Sequence, residues 1–172
     1  TARSSTSGLR CDVDIDPVEQ PWVRWEWRTD DFPDGVDIAD DDRDDSPARL
    51  VLTFDGDMGR LSPRDRAFFE FVRLITGQQL PYATLMYTWD GKAAVEDVIA
   101  YPRTGRIQYL VVERGAGGAG KWLGYRRNVR EDFRRVFGEE PGRIRHVGVL
   151  ADSDDLQLDL TSWFADIRFD AT

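Results

Sequence analysis

A chain of 172 residues, 41% hydrophobic and 12% aromatic, holds enough apolar material to pack one domain, which excludes a disordered chain. Its net charge of −9 lacks the basic footprint of a nucleic-acid binder and disfavours an anionic membrane as the main partner. No apolar run is long enough to span a bilayer, and the single cysteine, Cys11, forms no internal disulfide.

The charge is uneven. Residues 1–60 hold 7 basic and 16 acidic groups, residues 61–147 hold 15 and 10, and residues 148–172 hold 1 and 6. A compact fold that brings the acidic ends together leaves a basic face elsewhere.

Residues 1–8 are small and polar and read as a tail or loop. Residues 9–15 alternate, with Leu9, Cys11, Val13 and Ile15 on one face, which predicts a half-exposed strand with Cys11 on its core side. Residues 22–28 alternate again, with Val23, Trp25 and Trp27 against Arg24, Glu26 and Arg28. Residues 30–45 carry nine Asp and read as a loop, since so many like charges cannot share a packed surface. A third strand at 50–54 ends in the Asp55-Gly56 turn signal. Ser62-Pro63 opens a helix over 64–76 that Gly77 ends. Strands follow at 84–89, 95–101 and 106–114, then the flexible Gly-rich stretch 115–120. A second helix is expected over 128–137, with Arg126, Arg127, Arg130, Arg134 and Arg135 clustered on it. Strands at 143–151 and 162–169 complete the chain. About eight strands and two short helices without a strict βαβ order predict a mainly β, antiparallel two-sheet sandwich, jelly-roll-like, as a single domain over 1–172.

Several short motifs occur in a specific order. They are Ser7-Gly8-Leu9, Trp25-Glu26-Trp27, Asp44-Asp45 leading to Arg49, and the run from Pro81-Tyr82-Ala83-Thr84 through Leu85-Met86-Tyr87-Thr88-Trp89. Gly120-Lys121-Trp122, Arg127-Asn128-Val129 with Asp132 and Phe133, Phe137-Gly138-Glu139-Glu140-Pro141 and Asp152-Ser153-Asp154 follow. In these the chain resembles the bacterial family called domain of unknown function three-zero-four-seven. The resemblance implies a periplasmic or otherwise exported protein. It also implies that members begin earlier, with a signal sequence and further N-terminal strands. The chain departs from the family at Asp155-Leu156, where members have Asn-Thr.

Asp152 and Asp154 are spaced like calcium ligands, and the acidic loop around Asp44 and Asp45 is the expected source of further oxygens. Leu156 stands where an EF-hand would place an oxygen ligand. The single His146 sits mid-strand, there is no G-x-S-x-G elbow, and one His with one Cys does not make a zinc site. Tyr87 and Trp89 share a strand face and suit stacking on sugars, with Arg and Asp bonding hydroxyls. Asp45, Arg49, Arg127, Asp152 and Asp154 are expected to converge, with Arg127 bonded to an acidic residue such as Asp45 or Asp152. On the helix over 64–76, Phe68, Phe71, Val72 and Ile75 form the expected packing face, which leaves Phe69 as a partner-docking residue. The leading expectation is an exported, non-catalytic binding domain for a carbohydrate-like or polar ligand. The alternatives are an accessory subunit docked on a larger, membrane-bound protein complex, and a hydrolase.

Overall fold

Strands that alternate apolar and polar residues bury their apolar rows by packing face to face, and most of this chain does so. The computed structural model describes every residue except Ser4, Asp41 and 156–158. Asp41 of the acidic loop and Leu156 of the departing motif therefore lie outside the described residues. In chain order the elements are β1 (Ala2–Arg3), β2 (Ser7–Ile15), β3 (Trp22–Thr29), β4 (Arg49–Phe54), α1 (Pro63–Thr76), β5 (Ala83–Asp90) and β6 (Val98–Ala100). They continue with β7 (Ile107–Arg114), β8 (Leu123–Asn128), α2 (Val129–Phe137), β9 (Ile144–Ala151), β10 (Asp159–Leu160) and β11 (Ser162–Asp170).

Two sheets form the body. The larger runs β2-β9-β4-β5-β7-β6 and the smaller β11-β3-β8, while β1 and β10 make a separate short pair. The fold is the mainly β, two-sheet arrangement with two helices that the alternation predicts. One pairing departs from an all-antiparallel pattern, because β5 and β7 run parallel. The connection between them carries β6, which pairs antiparallel with β7.

The inward rows are legible residue by residue. Leu50, Leu52 and Phe54 of β4 alternate with outward Arg49, Val51 and Thr53, and in β5 Leu85, Tyr87 and Trp89 point inward. From the smaller sheet Trp25 stacks on Tyr87, ring centroids 5.0 Å apart, and Trp27 on Trp89 at 6.3 Å. Strand β3 therefore lies over β5. Strand β8 lies towards β7, since the Tyr125 hydroxyl donates to Glu113 at 2.7 Å.

Both helices begin at side-chain caps. Ser62 accepts from the Asp65 N–H and Asn128 from the Glu131 N–H. Both end at a glycine in the left-handed region, Gly77 at φ 70° and Gly138 at φ 71°. Helix α2 seats Val129 and Phe133 in the core, with Phe133 4.6 Å from Phe54. Helix α1 is tied down by Asp65, which accepts from Ser62, from Thr104 at 2.6 Å and from the Gly105 N–H. Arg126 and Arg127, expected on the second helix, instead end strand β8, which the sequence reading missed.

Candidate functional site

Four of the five residues expected to converge do so, at the end of the large sheet where β4 begins and β9 ends. Arg49 projects from the outer face of β4 and is only 3% exposed. It donates to Asp44 through the side chain at 2.5 Å and the main-chain carbonyl at 2.6 Å, and to Asp152 at 3.2 Å. Its guanidinium also lies 5.3 Å from the centre of the Tyr109 ring. The Thr6 hydroxyl donates to Asp152 at 2.5 Å and lies 3.2 Å from Asp154. Asp45 accepts from the Asp155 N–H at 3.1 Å. Burial pushes Asp44 up to about 6, against the pull of Arg49 and Tyr109. Burial, and then a proton shared with Asp154, raises Asp152 to about 6, while the same contact lowers Asp154. The cluster thus pins the acidic segment to the sheet through a cation whose charge is spent on Asp44 and Asp152.

Carboxylate oxygens of Asp45, Asp154 and Asp155 lie within 4.8 Å of one another. Of the pair expected from the sequence, Asp154 belongs to this group and Asp152 does not. Asp154 faces the group, whereas Asp152 is turned to Arg49.

Arg127 does not join the cluster. Its guanidinium grips Asp132 with two bonds, at 2.9 and 2.7 Å, and pairs with Glu96. The expected partners Asp45 and Asp152 are replaced because β8 ends at the helix that carries Asp132. The Tyr87 hydroxyl donates to the same carboxylate at 2.9 Å. Burial, and then the Asp132 charge, holds this phenol well above its usual range, so it remains a donor.

Tyr87 and Trp89 are both 0% exposed. Their ring faces are taken by Trp25, Trp27 and Phe32, so neither offers a platform to a sugar. Phe69 is also corrected. It is 6% exposed and belongs to the core, whereas Phe71, Leu74 and Ile75 of the same helix are 54%, 76% and 68% exposed. Of the row that the periodicity assigned to packing, Phe68 and Val72 are half-buried, whereas Phe71 and Ile75 face out.

A roomy apolar concavity arises from a mismatch in sheet width. Three strands lie over six, and the smaller sheet ends at β11 before it reaches β2. Leu9, Cys11, Val13 and Ile15 face inward as the alternation requires; Val13 and Ile15 are half-buried against the core, but among the described residues no strand covers the Leu9 and Cys11 end of the row. Leu9 is 78% exposed, and Cys11, expected in the core, is exposed as well. The result is a cleft of about 660 Å³, floored by β2 and β9 and walled by Phe164, Ile167 and Phe169 of β11. A bulge in β11 between Ala165 and Arg168, with Asp166 at φ 52°, adds Ile167 to that wall. The sequence showed the apolar floor in its period-2 pattern and gave no sign that it is left open.

His146 lies on the outer face of the large sheet, 2.7 Å from the Thr53 hydroxyl through Nδ1 and 3.4 Å from Asp12 through Nε2. These are direct cross-strand neighbours in the ladder. No helix of the described residues is long and apolar enough to cross a membrane.

No curated protein matches the chain. A family model described as "Protein of unknown function (DUF3047)" matches residues 1–168, nearly the whole chain, and the chain belongs to that family.

Proposed function

We propose that this is a binding domain that takes an elongated apolar segment of its ligand into the cleft between β2 and β11. The observation that carries this reading is the width mismatch between the sheets, which leaves an alternating apolar row without a covering strand. Burying such surface releases roughly 25 cal/mol for each Å² removed from water, so an apolar occupant gains what the missing strand would have gained. The lining is aliphatic and aromatic apart from Arg10, Cys11, Gly148 and Ser162, which suits holding a ligand rather than transforming it. A carbohydrate reading loses its support with Tyr87 and Trp89 in the core.

The test is the brightening of a naphthalene-sulfonate dye, which responds to apolar surroundings. Leu9→Asp places a charge on the cleft floor at a solvent-exposed position and should abolish most of the brightening without changing the melting temperature. Leu74→Asp on α1 is the control and should leave the cleft's share intact. Equal brightening by the Leu9→Asp variant and the parent chain would remove the proposal.

A second reading is that Asp45, Asp154 and Asp155 hold a calcium ion, supported by their three oxygens within 4.8 Å. A cation that binds only the native state raises the melting temperature. Millimolar calcium should therefore stabilise the parent chain and not Asp154→Asn, and an unchanged parent rejects the reading.

A further inference from the structure

One open edge of each sheet lies on the same side of the molecule. Among the described residues β2 pairs only with β9 in the larger sheet, and β11 only with β3 in the smaller. In an antiparallel ladder every second residue of such an edge strand turns its N–H and C=O away from its one neighbour. No further group among the described residues bonds to the main chain of Ser162–Asp170. Strand β11 therefore presents a row of open donors and acceptors beside the cleft.

The offset between the sheets sets what fits there. Strand β3 lies over β5, β8 lies towards β7, and β11 is therefore the strand on the β4 side. Strands in a sheet stand about 4.8 Å apart, so one more strand beyond β11 comes to lie over β9 and β2, where Leu9 and Cys11 are exposed. Its inward side chains recur at every second residue, the same period as the row beneath. The bulge between Ala165 and Arg168 interrupts the edge, so the added strand bonds on either side of it, at Ser162–Ala165 and at Arg168–Asp170.

One charge at the cleft is open as well. Arg10 belongs to its lining. It is exposed and has no ion pair or hydrogen bond among the described residues. Asp12, two residues along β2, does not pair with it and lies 3.4 Å from His146. A carboxylate on the occupant complements this cation.

We infer that the occupant of the cleft is an extended polypeptide segment of alternating apolar and polar residues. It adds to the open edge of β11 as a fourth strand of the smaller sheet and sets an acidic residue beside Arg10. This rests on the cleft reading above and names the ligand class for it. A hydrocarbon chain covers the apolar floor and leaves the β11 edge to water. An extended peptide uses both, with main-chain bonds for affinity and alternate side chains for specificity.

The experiment titrates the whole chain into a dye-labelled synthetic peptide of about eight residues, the length of an ordinary strand, and reads fluorescence polarisation. Valine alternates with polar residues in the peptide, and one polar residue is glutamate. N-methylation of every second amide blocks the bonds of one strand edge and spares those of the other. One methylated set should weaken binding at least about tenfold and the alternate set by less than about threefold, because main-chain bonds are lost on one side only. Arg10→Gln, at an exposed position, should weaken binding about threefold with an unchanged melting temperature. Equal effects of the two methylated sets overturn the inference, as does undiminished binding by Arg10→Gln or by Leu9→Asp. A medium-chain alkyl sulfonate that binds where the peptide does not overturns it and leaves the cleft reading standing; binding of neither removes both. A chain that is dimeric and takes no peptide assigns the edge to a second copy and also overturns it.

Discussion

Replacing Arg49 with Met tests whether the buried cluster works as described. The substitution keeps an unbranched apolar stem close to that of arginine and removes the guanidinium cation. Asp44 and Asp152, 22% and 13% exposed, are then left without their shared partner beside three further carboxylates. Removing one member of a buried ion pair costs about 3–5 kcal/mol. Both carboxylates retain some contact with water, so the cost at pH 7.5 is placed at the lower end, about 3 kcal/mol. The pH dependence is the sharper part. Both groups sit at about 6 in the folded chain, above the ordinary 3.8, so the fold binds their protons more tightly than the unfolded chain does. Their contribution to stability is present in full below the unfolded value and is lost as pH rises through 6. Without Arg49 both rise further, and at pH 5 they are protonated and tolerate its absence. The cost of the substitution should therefore fall to about 1–2 kcal/mol at pH 5. Urea denaturation followed by tryptophan fluorescence at the two pH values measures this. An equal cost at both, or a cost under about 1 kcal/mol at pH 7.5, would refute the reasoning.

Three further outcomes follow from the packing. Phe69→Ala should cost about 3–5 kcal/mol, whereas Phe71→Ala should change stability by less than about 0.5 kcal/mol, both read by thermal or urea unfolding. Tyr87→Phe should destabilise by about 1–2 kcal/mol, since Asp132 loses one buried donor but keeps both bonds from Arg127. Cys11 should react with a thiol reagent in the native chain at close to its unfolded rate, because the cleft floor is open; protection until unfolding would show the floor to be covered.

How much of this was legible in the sequence depends on what each pattern encodes. Alternation encodes which residues share a face, and it placed β2, β3, β4 and both inward tryptophans of β3 correctly. It does not encode what lies opposite. The same row that reads as core in β4 is open in β2, because the number of strands in the facing sheet is set by the whole topology. Strand β8 was missed because LGYRRN has only two large apolar residues in alternation, Leu123 and Tyr125, and runs directly into an N-cap. On α1 the 100° spacing found an apolar stripe, but Asp65 and its bonds to Thr104 and Gly105 decide which side is anchored, and these are contacts about forty residues apart. The Arg49 cluster was legible because Asp44, Asp45 and Asp152 flank the ends of strands that pair. Arg127 was misassigned for the converse reason, since its partner Asp132 is only five residues on and arises from the strand-to-helix junction.

The most direct test of the cleft is to follow backbone amide chemical shifts while a medium-chain alkyl sulfonate is titrated into the labelled protein. The account predicts saturable shifts concentrated in β2, at 147–149 of β9 and in β11, and their loss in Leu9→Asp. Shifts confined to α1, or none that saturate in β2 and β11, would contradict it.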